Sequence, residues 1–129
     1  MNDKPRILVA EDNIALNGIL RFNLANAGYN VTTAKNGQEA IGFVDQQRFD
    51  VIVSDQQMPH ATGIELCEHI RKTELNAEVP FVLLTAKAFE VDRRRLQEEL
   101  HVVDVIQKPF SPAAIVETVG SLLVSSQTD

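Results

Sequence analysis

Cysteine and long apolar runs are almost absent from this sequence. Cys67 is the one cysteine in 129 residues, which excludes an internal disulfide and a zinc site built from several cysteines. No apolar run approaches the roughly 18 residues that a membrane span needs, and the first residues, Met1 to Arg6, are polar. We therefore expect neither a signal peptide nor a membrane anchor, and a location in the reducing cytoplasm.

An excess of basic residues is also missing. Twelve Lys and Arg stand against eighteen Asp and Glu, for a formal net charge of -6. This field repels the phosphates of nucleic acids and anionic lipid headgroups. The run Arg93 to Arg95 does not reverse it, because consecutive helix residues point about 100° apart and acidic residues flank the run. We expect no direct binding to nucleic acid or to a membrane.

What the chain does contain is enough apolar surface for one core. Hydrophobic residues make up 44% of the sequence, and domains usually contain about 100 to 200 residues. We predict a single domain over residues 1–129, with a core over about residues 5–124 and a polar tail from Ser125 to Asp129.

Five segments are predicted as strands. Tyr29–Ala34 has strong strand propensity but polar character, which is typical of a sheet edge. The other four are continuous apolar runs, which are typical of strands buried on both faces of a parallel sheet. These runs are Ile7–Ala10, Val51–Val53, Phe81–Leu84 and Val102–Ile106.

Segments with helical periodicity separate the strands. The first has an apolar stripe and ends before Gly28, which is expected to cap it. Asn36 and Glu39 predict a capping box at the start of the second. The stripe of the first helix comprises Leu16, Ile19, Leu20, Asn23, Leu24 and Ala27.

The remaining three helices differ in strength. The third places Ile64, Cys67 and Ile70 on one face. The fourth, from Glu90 to Leu100, has few apolar residues and is the weakest, whereas the fifth opens with the N-cap pair Ser111–Pro112. The resulting order, βαβαβαβαβα, predicts an α/β domain in which helices cover both faces of a parallel sheet.

Polar residues follow the predicted strands. Ligands of open α/β sheets bind beyond the carboxyl ends of the strands, so these residues are the candidates for chemistry. They are Glu11, Asp12 and Asn13 after the first strand, Ser54 and Asp55 after the third, Thr85 after the fourth, and Lys108 and Pro109 after the fifth. Three carboxylates gathered there would suit a hard ion such as Mg²⁺. The same acids could instead be ordinary residues of strand-to-helix turns.

Four motifs lie at or after the ends of predicted strands. They are Val9-Ala10-Glu11-Asp12-Asn13, Val53-Ser54-Asp55-Gln56-Gln57-Met58-Pro59 with Gly63, Leu84-Thr85-Ala86-Lys87-Ala88, and Lys108-Pro109-Phe110. Together they resemble the response-regulator receiver domain of two-component signalling (CheY-like), and the match extends over nearly the whole chain in the family's order and spacing. The resemblance implies a doubly wound, flavodoxin-like fold, (βα)5, with strand order 2-1-3-4-5.

The resemblance also implies a role for each site residue. Asp55 would be the phosphoacceptor, with Lys108 pairing with the phosphoryl group and Thr85 and the amide of Ala86 donating to it. Mg²⁺, or Mn²⁺, would be held by Asp12, Asp55, the backbone carbonyl of Gln57 and, through water, Glu11. Such a domain is not a conventional enzyme, since it catalyses only its own phosphotransfer and slow self-dephosphorylation.

The implied function is a phosphorylation-controlled switch. A sensor histidine kinase or phosphotransfer protein would supply the phosphoryl group, and the surface of helix 4, strand 5 and helix 5 would repack for a downstream effector or a fused output domain. The fifth helix carries one charged residue, Glu117, between Ser111 and Val124. We therefore expect a monomer or weak dimer rather than a salt-bridged dimer.

Several positions depart from the family pattern or shape the loops. Val105 stands where the family usually has a switch aromatic, so the output runs through backbone and helix 4, or the response is weak, or Val105 is simply a strand residue. His101 replaces a frequent glycine and could alter the turn after helix 4. Pro59 and Gly63 are interpreted as loop-shaping, with Gly63 permitting a positive φ; the bond before Pro109 is expected to be cis.

Two other function classes compete with the switch. An interaction scaffold that binds partners regardless of phosphorylation is favoured by Val105 and disfavoured by the complete set of acids, Thr85 and Lys108. A flavin-binding protein of the same topology is disfavoured because no phosphate-binding loop follows Ile7–Ala10. A P-loop nucleotidase is excluded because its glycine-lysine motif is missing.

Overall fold

The computed structural model describes the backbone of residues 4–127 and the side chains of residues 4–124. Strands and helices alternate along this part of the chain as predicted, with a short 3₁₀ turn at Ala88–Glu90. The strands are β1 (Arg6–Ala10), β2 (Asn30–Ala34), β3 (Val51–Asp55), β4 (Phe81–Thr85) and β5 (Val102–Gln107), and the helices are α1 (Ile14–Asn26), α2 (Gly37–Gln46), α3 (Gly63–Ile70), α4 (Arg93–Glu98) and α5 (Pro112–Gln127).

The five strands form one parallel sheet in the order β2-β1-β3-β4-β5. This confirms the predicted fold and the edge position of β2. The expectation that β5 is buried on both faces is wrong, because β5 forms the other edge. A register shift interrupts its pairing with β4, and Val103 is 48% exposed. On this edge the Asp104 carboxylate accepts a hydrogen bond from the Val105 N–H at 2.9 Å.

Helices cover both faces of the sheet, because alternate residues of each strand point to opposite sides. Leu8 and Ile52 pack with α2, α3 and α4, whereas Val9 and Val53 pack with α1 and α5. Apart from Arg6, every residue of the central strands β1, β3 and β4 is buried. The sheet therefore provides a rigid base whose carboxyl edge holds the polar residues.

Helix ends follow local hydrogen-bond chemistry. Gly28, at φ 102°, follows the end of α1, as predicted, and the N–H groups of Gly28 and Tyr29 bond back into its last turn. At α2, Asn36 accepts from the Glu39 N–H, but the Glu39 carboxylate bonds to the Lys35 N–H rather than to the cap residue. The reciprocal capping box instead opens α3, where Thr62 and Glu65 exchange both bonds.

Two helix predictions need correction. The stripe assigned to α1 is wrong at Ile19, which is 45% exposed, and at Ala27, which is exposed and follows the last residue of the helix; only Leu20 and Leu24 of α1 are fully buried. The fourth helix begins at Arg93 rather than Glu90, since the Asp92 side chain caps the Arg95 N–H and the preceding residues form the 3₁₀ turn.

Arg71 holds the segments that follow α3 and α4. Its guanidinium donates to the carbonyls of Ala77, Val79, Leu100 and His101 at 2.7–3.2 Å. His101 occupies the left-handed region at φ 54°. The turn thus has the conformation that a glycine would adopt most easily, with a histidine in it.

The final helix starts as predicted, with the Ser111 hydroxyl accepting a hydrogen bond from the Ala114 N–H. Its backbone continues to Gln127, three residues into the expected tail, and Thr128 and Asp129 lie outside the described residues. Across residues 4–127, no helix is both long and apolar enough to cross a membrane.

Candidate functional site

The carboxyl edge of the sheet gathers three acidic side chains. Glu11 and Asp12 follow β1, and Asp55 ends β3, the strand beside it. Carboxylate oxygens of the three lie within 4.8 Å of one another. Glu11 and Asp55 are buried, whereas Asp12 is exposed, so the group is open to solvent on one side. Within the described residues, no other group of histidine, cysteine and acidic side chains is arranged to hold a metal ion.

Lys108 joins the two buried carboxylates. Its ammonium lies 3.0 Å from Glu11 Oε1 and 3.1 Å from Asp55 Oδ1. It comes from the end of β5, across the sheet from β1, so the chain brings together residues separated by 97 positions. One positive charge is thus shared by two negative charges, and Asp12 adds a third.

Burial dominates the protonation of this group. It raises the pKa of Asp55 above its ordinary value and outweighs the attraction of Lys108. Burial likewise raises the pKa of Glu11, although the Asn13 N–H and Lys108 oppose it. Burial lowers the pKa of Lys108, but the hydrogen bonds to Glu11 and Asp55 prevail, so that this pKa is raised overall. The ammonium is therefore charged at neutral pH.

Local hydrogen bonds hold the acidic residues in place. The second oxygen of Glu11 accepts from the Asn13 N–H at 3.0 Å. Asn17, from the first turn of α1, donates to the carbonyls of Glu11 and Ala34 and so ties the helix to the ends of β1 and β2. These contacts restrict the Glu11 carboxylate to one position beside Lys108.

Close packing fixes the other side of the site. A Cβ on Gly63 would lie 2.5 Å from the Asp55 carbonyl oxygen and 2.7 Å from Leu83 Cδ1. The prediction that Gly63 supplies a positive φ is wrong, because its φ lies outside that region. Glycine is needed here so that the start of α3 can approach the end of β3. The Gly63 N–H donates to the Gln56 carbonyl at 2.9 Å across this contact.

Thr85 and the loop after it complete the edge between β3 and β5. Thr85 is buried, and its hydroxyl oxygen accepts from the Lys87 N–H at 3.1 Å. Its carbonyl accepts from the Lys108 N–H at 2.8 Å. Ala86 is exposed beside it, and Gln57 is exposed on the loop that follows Asp55.

The structure also shows the conformation or packing at three further positions discussed from the sequence. The Lys108–Pro109 peptide bond is cis, as expected. Val105 is half-buried and packs on the core layer of α2, α3 and α4. Cys67 is fully buried, as predicted for a small core residue, and burial raises the pKa of its thiol to about 11.

Sequence reasoning missed two residues near the site. Asn17 and Gln107 bond to backbone groups of neighbouring segments, and neither position belongs to a motif. A polar residue directly before Lys108 in an apolar strand was the one available signal for Gln107.

Comparison with known proteins gives the family. A profile described as "Response regulator receiver domain" matches residues 7–120. The chain belongs to this family. It is therefore a receiver domain of two-component signal transduction, a signalling module rather than a conventional enzyme.

Comparison with individual curated proteins also finds transcriptional regulators that are similar in sequence. The alkaline phosphatase synthesis transcriptional regulatory protein PhoP of Bacillus subtilis (strain 168) is 38% identical over 98% of this chain and 51% of its own length. The chain spans about half the length of the curated relatives that it matches.

Solved structures of receiver domains superpose closely. The chemotaxis response regulator CheY4 of Vibrio cholerae is 29% identical with a TM-score of 0.83, over 93% of this chain and 99% of that one. The receiver domain of a sensor histidine kinase from Pseudomonas aeruginosa PAO1 is 30% identical with a TM-score of 0.82, over 95% and 99%. That structure has a magnesium ion coordinated in its active-site cleft.

Proposed function

We propose that this receiver domain is a phosphorylation-controlled switch in which Asp55 accepts the phosphoryl group. One observation carries the proposal. Asp55 ends a central strand, Lys108 lies 3.1 Å from one of its oxygens, and two further carboxylates lie within 4.8 Å. A nucleophilic carboxylate beside a fixed positive charge and a cation-binding group is the arrangement that phosphoryl transfer requires.

The acidic cluster fits Mg²⁺, or Mn²⁺, because its donors are oxygen atoms. Asp12 and Asp55 would hold the ion directly, together with the backbone carbonyl of Gln57, and Glu11 would hold it through water. Such an ion neutralises charge that develops on the transferred group. The Pseudomonas aeruginosa receiver structure supports this assignment.

The proposed step is an in-line displacement at phosphorus. An oxygen of the Asp55 carboxylate forms a bond to the phosphorus atom of a phosphohistidine, and the bond from phosphorus to the imidazole nitrogen breaks. The electron pair of that bond leaves with the imidazole. With acetyl phosphate as donor, the bond that breaks is the one to the acetyl oxygen, and acetate leaves.

Residues around Asp55 stabilise the product and transmit it. Lys108 pairs with the new phosphoryl oxygens, and the Thr85 hydroxyl and Ala86 N–H donate to them. These donors connect the site to a surface formed by α4, β5 and α5, where Phe89, Val103 and Val124 are exposed apolar residues at or beside those elements. We propose that repacking of this surface changes partner binding.

The proposal includes the partners predicted from the sequence. A sensor histidine kinase or phosphotransfer protein supplies the phosphoryl group, and an effector protein or fused output domain reads the altered surface. The domain itself acts as a monomer or weak dimer. A buried, unpaired Cys67 is consistent with the reducing cytoplasm as its location.

A scaffold that works without phosphorylation is the second candidate. Val105 favours it, because this side chain is smaller than the aromatic that the family usually has there. The intact acidic cluster with Lys108 favours the switch.

Intact-mass measurement with acetyl phosphate tests the switch. We expect one phosphoryl adduct that forms with Mg²⁺, does not form without it, and is absent from Asp55→Asn. Asp104→Asn, which alters an exposed aspartate on β5, should be labelled like the wild type. A wild type that binds neither Mg²⁺ nor phosphate would favour the scaffold, and labelling of Asp55→Asn would assign the acceptor to another residue.

A further inference from the structure

The Gln107 side chain bridges two segments beside the site. Gln107 is the last residue of β5, and its backbone is in register with Thr85 of β4. Its side-chain oxygen accepts from the Ala88 N–H at 2.9 Å. Its side-chain nitrogen donates to the Ala86 carbonyl at 2.5 Å and to the Lys108 carbonyl at 2.9 Å. We call the bonds to Ala86 and Ala88 the Gln107 clamp.

The clamp acts on the loop that leaves β4. The Lys87 N–H bonds back to the Thr85 hydroxyl, and the Lys87 carbonyl accepts from the Glu90 N–H at 2.9 Å. The flanking Ala86 carbonyl and Ala88 N–H depend on Gln107. The loop is thus fastened to the β5 side of the sheet by one side chain.

A phosphoryl group on Asp55 would draw the same loop the other way. The Leu84 carbonyl bonds to the Gln56 N–H on the β3 side, and the Thr85 carbonyl bonds to the Lys108 N–H on the β5 side. Because backbone groups alternate in direction along a strand, the Ala86 N–H is turned toward β3 and Asp55. Three new acceptor oxygens there attract this N–H and the Thr85 hydroxyl.

We propose that Gln107 is a positioning residue that holds the Ala86–Ala88 loop toward β5 and thereby opposes phosphoryl binding at Asp55. This inference rests on the proposed function of Asp55. The clamp has to open when Thr85 and Ala86 move closer to Asp55, so part of the binding free energy is spent on that change.

Beryllofluoride titration in the presence of Mg²⁺ measures this opposition, because the probe is a tetrahedral phosphoryl analogue. We expect Gln107→Leu to bind it at least about fivefold more tightly than the wild type, as the loss of two neutral hydrogen bonds implies. The control is Gln46→Leu, an exposed glutamine at the end of α2 on the opposite edge of the sheet, and it should bind like the wild type.

Hydrogen exchange of the wild type gives a second test that needs no variant. The Ala88 N–H is protected by Gln107 in the free protein, so its exchange should accelerate at least about threefold when beryllofluoride binds. Unchanged or slower exchange at Ala88 would overturn the clamp. This measurement also decides the matter if Gln107→Leu does not fold.

The outcomes separate the two proposals. A wild type that forms no acetyl-phosphate adduct and binds no beryllofluoride overturns both. A wild type that does both, while Gln107→Leu binds with equal or weaker affinity, overturns the clamp and leaves the role of Asp55 in place.

Discussion

At the scale of single residues, the site holds three carboxylates close together with only one ammonium group beside them. Lys108 is shared by Glu11 and Asp55, and Asp12 adds a further negative charge beside them. The family motifs predicted that these residues form the site, because the acids, the threonine and the lysine all follow strands of one parallel sheet. They did not predict Gln107, because its role depends on which loop lies across from it.

Asp55→Asn should stabilise the metal-free fold. Removal of the Asp55 carboxylate leaves Lys108 paired with Glu11 alone. We therefore expect a rise in Tm of roughly 2–6 °C at pH 7. Burial raises the pKa of Asp55, so the folded chain keeps this proton at a pH where the unfolded chain has lost it. Wild-type stability therefore falls as pH rises from about 4 toward the raised pKa.

The advantage of the variant should consequently be small near pH 4 and grow as pH rises through the raised pKa of Asp55. Thermal unfolding between pH 4 and pH 8 in the presence of a chelator measures it, with Asp104→Asn as the control. A lower Tm for Asp55→Asn at pH 7 would show that the carboxylate stabilises the fold.

Mg²⁺ should stabilise the wild type by relieving the same imbalance. At about ten times the dissociation constant, one bound ion contributes roughly 1.4 kcal/mol, which raises Tm by several degrees. Asp12→Asn should lose most of this shift, whereas Asp104→Asn should keep it. Equal shifts in the wild type and Asp12→Asn, measured by thermal unfolding with and without Mg²⁺, would place the ion elsewhere.

At the scale of elements, the order of strands and helices could be predicted, whereas the exposure of their residues could not. Apolar runs identify four strands and strand propensity identifies β2, but the edge position of β5 depends on sheet order. The apolar stripe predicted for α1 includes the exposed Ile19 and Ala27 because periodicity does not show how wide the buried face is. α4 begins at Arg93 because the side chain of Asp92 accepts a hydrogen bond from the Arg95 N–H. The spacing of apolar residues does not show this cap.

Two helical glycines should respond oppositely to alanine. Gly63→Ala forces a Cβ against the Asp55 carbonyl and Leu83, and should destabilise the fold by about 1–3 kcal/mol. Gly42 lies on the exposed side of α2, where an added Cβ would have no heavy atom within 4 Å beyond its own helix backbone. Gly42→Ala should therefore stabilise the fold by about 0.5–1 kcal/mol. Urea unfolding measures both, and a neutral Gly63→Ala would contradict the close approach of α3 to β3.

Two arginines form a similar pair. Arg71→Met removes hydrogen bonds to four backbone carbonyls and should cost about 2–4 kcal/mol in urea unfolding. Among the residues that the structure describes, Arg94 bonds only to the exposed Glu98 one turn away, so Arg94→Met should change stability by less than about 0.5 kcal/mol. Similar values for the two variants would refute the role assigned to Arg71.

At the scale of the whole molecule, the helix that follows the first acidic residues of the site has exposed apolar side chains. α1 begins directly beside Asp12 and exposes Ile14 and Phe22, at 81% and 66%. In the proposed reaction, a phosphohistidine reaches Asp55 at this edge of the sheet. We therefore predict that the protein that carries the phosphoryl group contacts the exposed apolar residues of α1.

Phe22→Asp tests this contact. Phosphotransfer from a histidine kinase that labels this domain should slow by about tenfold, which corresponds to one apolar anchor at an interface. Labelling by acetyl phosphate should be unchanged, because a small donor needs no docking surface. Leu75→Asp, an exposed apolar residue on the segment between α3 and β4, is the control. An equal loss in both variants, or a loss with acetyl phosphate, would refute the contact.

The Asp104 side chain has a consequence for the protein in concentrated solution. An open edge strand normally offers N–H groups onto which another copy can add a strand, and this is one route to fibrils. On β5 the Val105 N–H is already bonded to the Asp104 carboxylate, and a second copy would bring the same negative charge against it. We therefore expect Asp104 to oppose strand addition at the edge that borders the proposed partner surface.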